Sequence, residues 1–476
     1  MARKNEVLAQ LLREVGWSQS ELMRAVNRLL GTGYVCRSTV AEWVNQARVP
    51  RDPVATVVAH VLSEVTARDI TLDDLWQGRA KSPQLWLPAL EGLQTSWDHV
   101  GTLHTVHDWL DHGETTLDFH HRSFLPLRGS GLSGPVWSYL DCATKPISQI
   151  AYQHNRRNGC VISSAMTEIV ALVVAHLRCL DDSEGGSLKN LRFVHRHLLT
   201  VGQQISSGEA ADSAVLTSLL RVWMQLNQLA GWMAYDAEQH GLAQRYWYTG
   251  LHAARSIQDR SFGAYLLALL ANQAVYRGKA REATDLANAA TEAAKGAPAS
   301  IRAVAGGVLA HTEALVGNAH GFQTGIDRVL SLIEAPDASD NKPDWLYWYS
   351  PAQVRVQQGH ALLALARASS RPSQQWLTDA ARLLAPHAVL DDAQFPREAV
   401  YNRVWLARSQ LWRGEVDTAL RTVRSTLAEH VVRPPRTVAQ LRALDDELAR
   451  QPSSWTPGVA ELRGNLRDLL LGVGQA

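Results

Sequence analysis

The sequence predicts an all-α protein, with a small N-terminal helical domain followed by an α-solenoid of helical hairpins. Three observations carry this. Ala and Leu abound, while Phe and Tyr number only 6 and 11 in 476 residues, which favours helix over sheet. Apolar residues recur at helical spacing through most of the chain. The second half also repeats itself, with Ala243 and Ala283 in equivalent places 40 residues apart.

The N-terminal elements follow from local chemistry. Residues 6–14 set Val7, Leu8, Leu11 and Leu12 on one face, and Gly16 stops that helix. Ser18 with Glu21 three residues on is a capping box, in which each side chain satisfies a backbone N–H of the other's segment. It opens a second helix with Leu22, Val26, Leu29 and Leu30 on one face, broken by Gly31 and Gly33. Ser38 is expected to cap a third helix from Thr39 to about Gln46, burying Val40, Trp43 and Val44. Val54–Val65 reads as a fourth helix, and Thr71 caps a short fifth containing Leu72, Leu75 and Trp76.

Residues 1–78 are therefore expected to form one domain, 79–90 a linker, 91–210 a helical middle domain and 211–476 the repeats. In the middle domain a helix is expected from Leu90 to Leu110. Residues 112–146 are the least regular, being rich in Gly, Ser and Pro around Leu125–Pro135. Ser163–Leu180 and Ser187–Ser206 read as two helices separated by the turn at 181–186.

Each repeat holds a first helix with a small residue (Gly231, Ala271, Ala310, Ala407) and a turn at His240-Gly241, Gly278, Gly317 or Gly414. A second helix follows, with Ala243, Ala283, Phe322 or Ala419 in matching places. Small residues let paired helices approach, while Leu and Trp fill the gaps. A copy near Gly359–Leu384 is distorted by an insertion around Ser369–Ser373. The chain holds 16 Trp, and Trp223, Trp232, Trp247, Trp345, Trp348, Trp376, Trp405 and Trp412 fall in the repeats. They are expected to pack between helices, with some lining the concave groove as ligand anchors.

Charge is uneven. The first 51 residues carry eight Lys or Arg against four Glu, a local +4 in a chain of net charge +1. A basic head on a near-neutral body suits a module that meets phosphates. Cys36, Cys142, Cys160 and Cys179 form no CxxC pair and suit reduced thiols in the cytoplasm. The first residues do not read as a signal peptide, and no run approaches a membrane span. No phosphate loop or nucleophile elbow is present, so no enzyme class is indicated. His104, His107, Asp108 and Asp111 sit at ligand-like spacing but lack a metal motif, and neither metal nor cofactor is expected.

The pair SQSELMRAVNRLL and RSTVAEWVNQARVP resembles the helix-turn-helix of the lambda-repressor-like (XRE) family, through Ser18-Gln19, Leu22, Ala25, Val40, Trp43 and Pro50. The turn at 31–36 is longer than the family's. The repeats resemble tetratricopeptide units, stretched from about 34 residues to about 40. Together they are similar to the helix-turn-helix–tetratricopeptide regulators of actinobacteria, and share their plan with the RRNPP peptide-pheromone receptors.

The resemblance implies a homodimeric, double-stranded-DNA-binding transcription regulator. The second helix of the pair would lie in the major groove, with Arg37, Ser38 and Thr39 at its start and Glu42 and Asn45 one turn on. Arg37 suits guanine, Asn45 adenine and Glu42 cytosine. Gln19 matches the family's phosphate-positioning glutamine, and Arg3, Lys4, Arg48 and Arg51 are candidate backbone clamps. Asn227, Asn272, Asn402 and Arg403 lie where tetratricopeptide proteins grip an extended peptide, which implies a peptide or small-molecule effector. The alternative is a protein-interaction scaffold that uses the solenoid without specific DNA binding.

Overall fold

The apolar stripes of the first 76 residues close on one another. In the computed structural model, α1 (Glu6–Glu14), α2 (Gln19–Leu30), α3 (Arg37–Asn45), α4 (Val54–Thr66) and α5 (Leu72–Trp76) share one core. Leu8, Leu22, Val26, Val40, Leu62 and Trp76 are buried at its centre. Every residue of α4 from Ala55 to Ser63 is buried, so this helix is the hub that the others wrap. The structure describes residues 4–30, 34–51, 53–66, 68, 70–79, 86–117, 123–142, 161–208, 210–335, 341–369, 373–389, 395–429, 434–451 and 456–473.

The expected capping box at α2 forms, and the structure adds a second at α5. The Glu21 amide donates to Ser18 Oγ (3.3 Å) and the Ser18 amide to Glu21 Oε2 (2.5 Å). Thr71 and Asp74 do the same at α5. The third helix starts earlier than expected. Cys36, in extended conformation, is its N-cap residue, and Ser38 sits inside the first turn. The reason lies upstream. Asn27 Nδ2 donates to the Val35 carbonyl and the Val35 amide donates to Asn27 Oδ1, both at 2.8 Å. This bracket pins the end of the long turn to α2 and fixes where the helix begins.

The chain divides into two compact units. One is Met1–Glu91 with Thr115–Leu125, and the other is Gly92–Glu114 with Pro126–Ala476. In the first unit, β1 (Trp86–Pro88) pairs in parallel with β2 (Ser123–Leu125), where the sequence suggested only linker and irregular chain.

In the second unit the paired helices stack in solenoid fashion. Hairpins form from α10 (Ser213–Asp236) with α11 (His240–Ser256), α12 (Arg260–Tyr276) with α13 (Ala280–Ala293), and α14 (Ala299–Leu315) with α15 (Ala319–Glu334). They continue with α16 (Pro351–Ala368) and α17 (Gln374–Leu384), α18 (Pro396–Trp412) and α19 (Val416–Glu429), then α20 (Pro435–Ala449) and α21 (Pro457–Val473). Before them come α6 (His99–His112), α7 (Gly129–Asp141), α8 (Ser164–Glu184) and α9 (Leu188–Ser206).

Small residues mark the close approaches. A Cβ on Gly231 would lie 2.3 Å from the indole nitrogen of Trp247, so α10 and α11 meet at a bare backbone. Gly278, Gly317 and Gly414 take left-handed φ of 69°, 80° and 83° in their turns. In the first hairpin His240 and Gly241 already belong to α11, and Glu238 takes that conformation at φ 60°. Its carboxylate accepts from the Tyr276 hydroxyl (2.6 Å) and faces His240 at 3.4 Å, contacts that offset the backbone cost.

Two helices cover the outer layer, α6 on α9 and α11, and α7 on α13. α6 begins at His99, later than expected, because Gly92 turns the chain at φ 77° and Asp98 caps the helix by accepting from the Gly101 amide at 2.8 Å. α7 runs through Pro135, where the composition suggested irregular chain. Leu132, Val136 and Tyr139 recur at helical spacing and are buried, so packing overrides local propensity. Gly263 leaves room for the Tyr139 hydroxyl, which lies 2.0 Å from where a Cβ would stand. No described helix is long and apolar enough to cross a membrane.

Candidate functional site

Two places collect functional side chains, one in each unit. In the first, α3 turns Val40, Trp43 and Val44 into the core. Helical geometry then leaves Arg37, Ser38 and Asn45 exposed, with Thr39 and Glu42 half-buried. Lys4, Arg48 and Arg51 are exposed, and Gln19 is half-buried at the start of α2. Arg3 lies outside the described residues. Glu42 and Arg48, assigned separate roles above, are joined by a 2.5 Å ion pair. Both partners are accessible, so the pair contributes less than about 1 kcal/mol and exchanges readily. Cys36 stands at the head of the same face, with its sulfur 3.0 Å from Ser38 Oγ and from Thr39 Oγ1. Those hydroxyls, Ser38 first, bring its thiol pKa down to about 7.

In the second unit the two ends of the solenoid meet. α8 touches α18, and α10 touches α20, so the first helices of the hairpins enclose a cavity of about 550 Å³. The closure is electrostatic. Asp236, at the end of α10, pairs with Arg397 at the start of α18. Arg436, at the start of α20, lies 2.8 Å from the other Asp236 oxygen, and Arg397 also reaches Asp181 of α8 at 3.5 Å. Arg436 rests on the ring of Tyr401 (4.4 Å), with Tyr235 and Trp232 at 5.0 and 5.4 Å. Asp236 is wholly buried, and removing one member of such a group would strand the others. Burial pushes the Asp181 carboxyl up to about 7, against the pull of Arg397 and with a further push from Asp236.

Between the charged groups the walls are aromatic, with neutral polar side chains among them. Trp232, Tyr265, Trp345, Trp348, Tyr401 and Trp405 line the cavity. His311 and His360 also face it, and burial lowers their pKa values to about 3 and 4. His360 Nε2 donates to Asn402 Oδ1 at 2.9 Å.

The expected groove residues divide. Asn272 lines the cavity. Asn227 is buried and donates to the Trp223 carbonyl one turn back. Asn402 supports His360 from behind, and Arg403 donates to Ser425 Oγ at 2.6 Å. The tryptophans divide as well, Trp223 and Trp247 being wholly buried between helices. His107 and Asp108 do not converge, since His107 bonds Ser206 and Asp108 pairs with the buried Arg245.

The Asp181–Asp236–Arg397–Arg436 clasp was missed by sequence reasoning. The one signal available was charge at helix ends, with Asp236 closing α10, Arg397 opening α18 and Arg436 opening α20.

Over residues 8–76 the chain matches the model of a family described as the SP15 N-terminal domain. The match begins at Leu8 and ends at Trp76, both core residues of the five-helix domain. No curated protein and no solved structure matches the chain.

Proposed function

We propose that the chain is a sequence-specific DNA-binding transcription regulator of the lambda-repressor-like class, whose tetratricopeptide-like solenoid receives an effector and pairs two copies. The observation that carries the reading is the outward row on α3, with Arg37, Ser38 and Asn45 exposed on a helix locked from behind by Val40, Trp43 and Val44. A rigid helix with a polar outer face is what the major groove accepts. Arg37 would take guanine O6 and N7, and Asn45 adenine N6 and N7. Arg48 and Arg51, exposed just after the same helix, and Lys4, exposed beside Asn5, whose amide donates to the Val44 carbonyl of that helix, would hold phosphates. The Asn27 bracket supports the reading, because it gives the long turn a fixed end and hence α3 a fixed pose on α2.

One short helix gives little affinity, so paired half-sites are required, and the solenoid would supply the dimer. The test is capture of fragmented genomic DNA on the full-length protein near physiological salt, followed by sequencing. An enriched inverted repeat supports the regulator. Uniform background, with the protein folded, overturns it.

A second reading, an interaction scaffold, draws on the outer face of α8, where Met166, Ile169 and Leu172 are 47%, 58% and 62% exposed.

A further inference from the structure

The interior cavity has a definite chemical character once its charges are followed to their partners. Four carboxylates stand on its wall. Asp181 and Asp236 are held by Arg397, and Asp236 by Arg436 as well. Asp182 accepts from the Tyr347 hydroxyl, and Glu398 accepts from Gln353 Nε2 at 2.7 Å. Each of the four thus has an ion-pair or hydrogen-bond partner in the wall.

The opposite holds for Arg367, at the end of α16. Among the described residues it has no carboxylate within ion-pair distance; the ring of Trp412 lies 5.7 Å from its guanidinium, and Glu447 acts on it only from further off. Asn272, His311 and Gln357 also line the space and make no hydrogen bond among the described residues. The cavity therefore offers π faces, neutral donors and acceptors, and two guanidinium groups that no carboxylate pairs among the described residues, Arg367 and Arg178, the second donating to Gln225 Oε1 at 3.1 Å.

We propose that this cavity binds a planar aromatic small molecule carrying one anionic group. The rings of Trp232, Tyr265, Trp348 and Trp405 supply flat apolar surface, which suits stacked or edge-on aromatic partners. Arg367 receives the anion, as a guanidinium receives a carboxylate. Asn272 and His311 meet in-plane polar atoms of the ring system. A volume near 550 Å³ lies in the range of small-ligand sites, which favours a compact molecule over an extended peptide threaded through the ring. Bound there, the molecule touches helices from both ends of the solenoid, so its binding energy adds to the clasp that closes the ring. The proposal rests on the effector part of the reading above and not on its DNA part.

The test is calorimetric titration of the full-length chain with three probes of one shape: 2-naphthoate, the neutral 2-naphthamide, and 2-naphthylmethylammonium. The expected result is saturable one-site binding of the naphthoate, roughly tenfold or more tighter than the amide, with no heat from the ammonium. Arg367→Gln should bring naphthoate down to the level of the amide and leave the amide unchanged. Arg367 is exposed at a helix end, so this variant should keep the melting temperature of the parent. The proposal is overturned if no probe saturates, if the ammonium binds best, if acid and amide bind alike, or if Arg367→Gln leaves their ratio unchanged. Loss of DNA capture with naphthoate binding intact would sink the regulator alone.

Discussion

Replacing Gly231 by Ala tests how tightly the solenoid is packed. Within an exposed helix the change is stabilising by about 1 kcal/mol, since Gly is the poorer helix former. Here the new Cβ would lie 2.3 Å from Trp247 Nε1, 2.5 Å from its Cδ1 and 2.9 Å from its Cε2. Trp247 is wholly buried and its indole donates to the Gln228 carbonyl at 3.3 Å. The ring must retreat by about 1 Å into a close-packed interior, at a cost of roughly 1–3 kcal/mol for overpacking and about 1 kcal/mol more for the strained hydrogen bond. The net effect is destabilisation by roughly 1–3 kcal/mol. Gly464, in α21, is the control, being helical and exposed with nothing within 4 Å of its would-be Cβ. Gly464→Ala should stabilise by roughly 0.5–1 kcal/mol. The assay is urea unfolding followed by far-ultraviolet dichroism, with native-state hydrogen exchange of the α10 and α11 amides to localise the effect. A neutral or stabilising Gly231→Ala would refute the packing argument.

Three further outcomes follow from the same geometry. Asn27→Ala removes both bonds to Val35 and should lower the stability of the N-terminal unit by about 1–2 kcal/mol, read from thermal unfolding of that unit's amides by hydrogen exchange. Asp236→Ala leaves Arg397 and Arg436 without their shared buried partner and should cost about 3–5 kcal/mol, with faster exchange in α18 and α20; a change below 1 kcal/mol would remove the clasp from the account. The pH dependence has a sign. The folded state holds Asp181 near 7 against an ordinary value of 3.8, so the fold prefers its protonated form. That preference stabilises fully below pH 4 and is lost as pH rises towards 7. Asp181→Asn, neutral throughout, should lose less stability than the parent as pH rises over that window in paired denaturation curves, and parallel curves would refute it.

Much of the N-terminal domain was legible because its signals are local. Ser18–Glu21 and Thr71–Asp74 are capping pairs within one turn, and Leu8, Leu22, Val40 and Trp43 fall at helical spacing. The start of α3 was misplaced because the Asn27–Val35 bracket spans eight residues and leaves no periodic trace. In the repeats, Gly278, Gly317 and Gly414 announced their turns, whereas Glu238 holds the same conformation without a glycine. α7 was hidden by its own composition, since only its burial against α13 reveals why Gly129–Asp141 is helical. The cavity was half visible. Several tryptophans pointed to it, but the clasp unites Asp181, Asp236, Arg397 and Arg436 across 255 residues of sequence, from 181 to 436, and only the closed ring brings them together. Asn227 and Asn402 sat at promising positions yet turned inward, because helical register alone does not say which face meets the groove.

The most direct measurement of the central claim is equilibrium binding of the full-length protein to its captured DNA fragment across a salt series, with Arg37→Ala and Asn45→Ala beside the parent. The account gives affinity that falls steeply and linearly with the logarithm of salt, and a loss of about 1–3 kcal/mol of preference for the captured sequence in each variant. Salt-independent binding, or variants that discriminate as well as the parent, would contradict it.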